Sequence, residues 1–287
     1  MNRWIVGSRP RTLPAAIVPV ALGAVVAVGE GGAVWTSVPL AAVVALALQV
    51  GVNYANDYSD GVRGTDDERV GPVRLVASGL ATARAVKVAA IGSFGVAAAV
   101  GLVLAAMTTW WLLVIGAACI LAGWFYTGGP RPYGYAGFGE VFVFVFFGLV
   151  ATAGTTYVVL ERLPAASWWL GTSTGALSCA LLVTNNLRDV PTDRLVGKNT
   201  LAVRLGVERT RILYVALIAV SFVTLIVAGV DRPEFLVGLL AVPLAVRPVR
   251  DVLAGASGRE LVPILGGTGR IQLVVGVLVV ASTIVLG

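Results

Sequence analysis

The residues best suited to chemistry are carboxylates and amides at helical spacing. In NNLRDVPTDRLVGK (185–198), Asn185, Asp189 and Asp193 stand at four-residue steps, interleaved with Arg188, Arg194 and Lys198. Residues four apart share one face of a helix, so three oxygen-bearing side chains line one wall with cations beside them. Pro191 predicts a bend or an end to that helix. A second copy lies upstream in VNYANDYSDGVRGTD (52–66). There Asn56 and Asp60 repeat the Asn-x-x-x-Asp spacing, Asn53 and Asp57 repeat it about one turn earlier, and Asp66 and Asp67 follow among Arg63, Arg69 and Arg74. Each cluster ends an apolar run, where carboxylates are costly unless a cation or an aqueous cavity receives them. Asp and Asn oxygens suit a hard divalent cation such as Mg²⁺, and Arg and Lys suit diphosphate oxygens. Two such clusters facing each other could clamp the cation between carboxylates and phosphate, as Mg²⁺ is usually held.

The elements that position these clusters are apolar helices. Of the 287 residues, 57% are hydrophobic and the mean hydropathy is +0.90, against about 45–50% apolar in soluble domains. Strands of a membrane barrel would alternate in polarity, and runs such as 212–230 do not. The expected fold is an all-α integral membrane bundle, one domain over 1–287, in the lipid bilayer. About nine transmembrane helices are expected, near 12–29, 35–55, 83–106, 109–126, 138–159, 166–184, 208–229, 234–248 and 267–286. The N-terminal run has no convincing cleavage site for a signal peptide. With this helix order, 19 of the 21 Arg and Lys residues fall on one side, leaving Arg162 and Arg232 opposite. The positive-inside rule then makes the N-terminus and both acidic clusters cytoplasmic.

Composition also removes alternatives. The chain has no histidine, which excludes His-based metal sites and Ser-His-Asp triads. Cys119 and Cys179 sit in apolar runs as small packing residues. The net charge of +6 follows from cytoplasmic arginines and does not call for nucleic acid. Lysine is limited to Lys87 and Lys198, which singles out Lys198 beside the acidic pair. Trp110, Trp111, Trp168 and Trp169 are expected at the outer interface. Tyr126, Tyr133 and Tyr135 could line a pocket or mark the other interface, and Glu140 suits a helix N-terminus.

NDYSDGVRGTD and NNLRDVPTDRLVGKNT resemble the two Asp-rich motifs of the UbiA superfamily of intramembrane prenyltransferases. The resemblance covers nearly the whole chain. NNLRD, YTGGPRPYGYAGFGEVFVFVFFG and SRPRTLPAA are most similar to the members that act on 1,4-dihydroxy-2-naphthoate in menaquinone synthesis. The resemblance implies Mg²⁺-dependent transfer of a polyprenyl group from polyprenyl diphosphate in a bacterial cell membrane. It assigns the metal to Asn56, Asp57, Asp60, Asp189 and Asp193, with Asp66 in place of the further Asp that the family often carries where this chain has Gly64. It gives Lys198, Arg131 and Arg188 catalytic roles at the diphosphate, Arg131 following Tyr126 by five residues. Asn53, Arg63, Arg74, Tyr126 and Asn185 are expected at the substrates. The acceptor's carboxylate needs a cation, for which Arg9, Arg11 and Arg188 are the candidates. Family members with 4-hydroxybenzoate, haem or glycerophosphate acceptors are the nearest alternative. A secondary transporter would instead place ionisable residues at midplane on broken helices, and the middles of these helices are almost free of charge. The oligomeric state is left open.

Overall fold

The computed structural model describes residues 2–64 and 73–286. Asp66, Asp67 and Arg69 lie outside the described residues. The architecture is all-α. Short α1 (Arg3–Ser8) leads through a 3-10 turn at Pro10–Thr12 into α2 (Pro14–Val25), then α3 (Ser37–Arg63), α4 (Ala83–Met107) and α5 (Trp111–Phe125). After a 3-10 turn at Tyr133–Ala136 come α6 (Gly139–Leu160), with a π-helical stretch at Phe144–Val150, and α7 (Ala165–Leu195). The chain closes with α8 (Leu201–Leu205), α9 (Val207–Asp231), a 3-10 segment at Pro233–Ala241, α10 (Val242–Leu253) and α11 (Leu261–Leu286).

Each segment expected to be helical is helical over most of its length, but the lengths differ. Among the described residues, five helices are long and apolar enough to cross a membrane: Ser37–Arg63, Ala83–Met107, Gly139–Leu160, Val207–Asp231 and Gly258–Leu286. Pro14–Val25 and Trp111–Phe125 are shorter apolar helices. A 12-residue helix rises only about 18 Å, less than the roughly 30 Å of a bilayer core. Gly29 and Gly32 take positive φ (80° and 81°) just after α2 and turn the chain there. α7 has 31 residues and runs through Pro191 to Leu195. Pro191 is exposed, and its missing N–H leaves the Leu187 carbonyl without its helical donor.

Packing holds the two motif-bearing helices in place. α3 lies along α4, where a Cβ on Gly51 would come within 2.7 Å of the Phe94 ring. α6 and α7 approach closely enough that a Cβ on Gly148 would be 2.4 Å from the Gly175 Cα. Small residues at such crossings are how apolar helices associate where burial in lipid gives little drive. Hydroxyl and amide side chains bond across the same interior, as in Thr152–Thr174 (3.1 Å), Ser173–Ser221 (2.9 Å) and Gln272 to Ser178 (3.0 Å). Trp110, Trp111, Trp168 and Trp169 are all exposed on the outer surface of the bundle.

Candidate active site

The last turns of α3 carry the first motif. Gly64 takes φ +69° at its C-cap and donates its N–H back to Asp60 and Gly61 carbonyls, ending the helix just beyond the carboxylate. Gln49, Asn53, Asn56 and Asp60 fall on one face by their spacing, and all four are buried. Asp60 is the junction between distant parts of the chain. Its carboxylate accepts hydrogen bonds from Tyr135 and from Lys198 Nζ (3.3 Å), and Arg74 stands 3.6 Å from its second oxygen. Lys198 belongs to the second motif, so the Lys198–Asp60 contact brings the two motifs into one site. The ammonium also lies over the Tyr135 ring, 4.6 Å from its centroid.

The loop between α5 and α6 completes the wall. Thr127 donates to Asn56 Oδ1 (2.8 Å), fixing the amide's orientation. Arg63 donates to the carbonyls of Thr127 and Gly129 and also lies over the Tyr135 ring, 5.4 Å from its centroid. The backbone N–H of Asn199 donates to the Tyr135 carbonyl (2.9 Å), which ties the segment carrying Lys198 to the same loop. Tyr126 meets Tyr133 edge-on at 5.6 Å, and the Tyr133 hydroxyl donates to the Ala122 carbonyl (2.7 Å). Burial pushes the Tyr133 phenol pKa up, keeping it a donor.

On α7, Asp189 and Arg188 form a two-point pair, with Nε and Nη2 donating at 2.7 and 2.8 Å. Both are buried, as is Asp193, whose carbonyl accepts the Lys198 N–H (2.8 Å). Asn185 turns its amide to the Leu181 carbonyl of its own helix (3.3 Å). The neighbouring Asn186 donates to Glu140 Oε1 (2.9 Å), a buried carboxyl at the start of α6.

Several expected residues are placed differently. Asp57 shares the motif spacing, yet its two oxygens accept the backbone N–H groups of Leu75 (2.8 Å) and Val76 (3.0 Å), and it is fully buried. Its geometry is that of an anchor for the segment that presents Arg74. Asn53 donates to the Ser8 carbonyl (2.9 Å) and Thr12 Oγ1 (3.0 Å), holding the N-terminal segment on α3. Arg131 and Arg11 are exposed, and Asp66 lies outside the described residues. Thr127 had no distinguishing signal in the sequence beyond the Gly- and Pro-rich stretch that contains it, and Tyr135 is the tyrosine of the three whose hydroxyl meets Asp60.

The donor set fits a hard cation by its chemistry. Asn56, Asp60, Asp189 and Asp193 offer oxygen only, and no imidazole or thiolate competes. Among the described residues no three acidic, Cys or His side chains converge as a cage.

Comparison with known proteins follows the same lines. The chain is 53% identical over 285 residues to a 1,4-dihydroxy-2-naphthoate octaprenyltransferase of Mycobacterium tuberculosis, covering 99% of this chain and 97% of that one. It is 36% identical to the protein of the same description from Escherichia coli, covering 96% and 93%. In fold it is similar to a UbiA homolog from Aeropyrum pernix, with a TM-score of 0.71, 16% identity and 96% of each chain covered. It is also similar to a UbiA homolog from Archaeoglobus fulgidus bound to DMAPP and Mg²⁺, with a TM-score of 0.64, 17% identity, and 99% and 100% covered. The model of the UbiA prenyltransferase family matches residues 16–258, most of the chain and both acidic motifs, and the chain belongs to that family.

Proposed function

We propose that this protein transfers a polyprenyl group from polyprenyl diphosphate to 1,4-dihydroxy-2-naphthoate, with loss of CO₂, to give demethylmenaquinol. The observation that carries this reading is the Lys198–Asp60 contact, which makes one polar site of two acidic motifs at the ends of apolar helices. The acceptor is that of the mycobacterial and E. coli relatives.

Asn56, Asp60, Asp189 and Asp193 would hold Mg²⁺ with the diphosphate. When bound, Mg²⁺ supplies positive charge that offsets the charge on the leaving diphosphate. Lys198 and Arg74 add fixed positive charge at the same place, where it counts most as the allylic C–O bond breaks. The electron pair of that bond leaves with the diphosphate. The ring carbon that bears the carboxylate, made electron-rich by the two hydroxyls, then bonds to the allylic carbon. The carboxylate departs as CO₂, its bonding pair returning to the ring. Apolar helices around the site keep water from the cation-like carbon.

We further propose nine membrane passages, with the N-terminus and both motifs on the cytoplasmic face of a bacterial cell membrane. The basic-residue asymmetry supports this orientation. The test is product formation by purified protein in detergent, with polyprenyl diphosphate and 1,4-dihydroxy-2-naphthoate, with and without Mg²⁺. Mg²⁺-dependent prenylated naphthoquinol with CO₂ release is expected. Turnover with 4-hydroxybenzoate but not with the naphthoate would keep the prenyltransferase and overturn the acceptor.

A further inference from the structure

Of the three arginines that the sequence offers for the acceptor's carboxylate, the structure separates one. Arg188 is already closed in a two-point pair with Asp189. Arg11 is exposed. Arg9 is half-buried and makes no side-chain hydrogen bond or ion pair among the described residues, and one guanidinium nitrogen, Nη2, is closed off from solvent without a partner. A buried cation edge without an anion is costly, and a ligand carboxylate relieves that cost.

The placement of Arg9 is built by its neighbours. It takes φ +50°, one of two non-glycine residues with positive φ among those described. Such strained backbone persists where the surroundings hold it, and it gathers at ligand-binding positions. Here Asn53 donates to the Ser8 carbonyl (2.9 Å), and Thr12 donates to the Arg9 carbonyl (2.9 Å). Thr12 Oγ1 in turn accepts from Gln49 and Asn53, both at 3.0 Å. The Arg9 backbone is thereby fixed beside Gln49 and Asn53, on the α3 face that also carries Asn56 and Asp60. Seven residues of helix separate Asn53 from Asp60, about 10 Å along the axis. The diphosphate end and the Arg9 end of the site are thus distinct places on one helix face.

Resting on the prenyl-transfer reading above, we infer that Arg9 binds the carboxylate of the aromatic acceptor and selects carboxylated rings. Arg9 transfers no proton. It holds the carboxylate until the new C–C bond forms and CO₂ leaves.

The test uses full-length protein and two acceptors, 1,4-dihydroxy-2-naphthoate and 1,4-naphthalenediol, the same ring without the carboxylate. The informative variant is Arg9→Asn, because Asn tolerates the left-handed backbone. Its preference for the carboxylated ring, as a ratio of kcat/KM values, is expected to fall about 10- to 100-fold, mainly through the acceptor's KM. Arg9→Lys should recover part of the loss, and the KM for the diphosphate donor reports that the fold is intact. A preserved preference in Arg9→Asn would overturn the inference. So would an equal fall with both acceptors, which marks a structural role, or a larger loss of preference in Arg11→Asn. If the wild type uses neither naphthalene acceptor, the acceptor reading fails with it, and that is visible before any variant is compared.

Discussion

The two acidic motifs share a spacing and differ in whom they bind. At the end of α3, Asn56 is held by Thr127 and Asp60 by Tyr135, Lys198 and Arg74, all distant in sequence. On α7, Asn185 bonds to its own helix and Asp189 to the adjacent Arg188. The first motif is therefore the meeting point of three chain segments. The second reaches other segments through Lys198, which meets Asp60, and through Asn186, which meets Glu140. A carboxylate already balanced by an adjacent guanidinium adds little net charge to a site, whereas Asp60 gathers cations that the diphosphate also needs. The difference makes α3 the assembly point and α7 the supplier of a cation and further oxygens.

The sharpest way to break this contrast is to remove its centre. Asp60→Ala is expected to lower kcat by at least about 100-fold and to leave Lys198 and Arg74 without their shared partner. A variant with near-normal kcat would show that the hub is only structural. Lys198→Met should cost about 10- to 100-fold in kcat/KM for the diphosphate donor, with little change in the acceptor's KM. Steady-state kinetics in both substrates would separate the two. Asp57→Asn sharpens the comparison differently, because the same motif spacing there holds backbone. It should lower stability by about 1–3 kcal/mol, read as a lower Tm in detergent, with a smaller effect on kcat than Asp60→Ala. The smallest effect expected is for Tyr135→Phe, about 3- to 10-fold in kcat/KM, since Lys198 and Arg74 still face Asp60.

The sequence made some of this contrast legible. Helix-spaced Asn and Asp at the ends of apolar runs located both motifs, and the scarcity of lysine pointed to Lys198. Spacing alone could not separate Asp57 from Asp60, because which carboxylate meets the Leu75 and Val76 N–H groups is set by a later segment folding back. Tyr135 stayed undecided for the same reason, since its partners lie 75 residues before it and about 60 after. Local rules also misjudged the length of α2, which the turn at Gly29 and Gly32 cuts short, and Pro191 does not end α7, which runs on to Leu195.

The central claim is that the two motifs act as one site. A double-mutant cycle on kcat/KM tests it most directly, using Asp60→Asn, Asp189→Asn and the pair, with Mg²⁺ and both substrates present. The account predicts strong non-additivity, with the double variant falling little below the worse single variant. Losses that simply multiply would contradict it, and would make the two acidic clusters independent contributors.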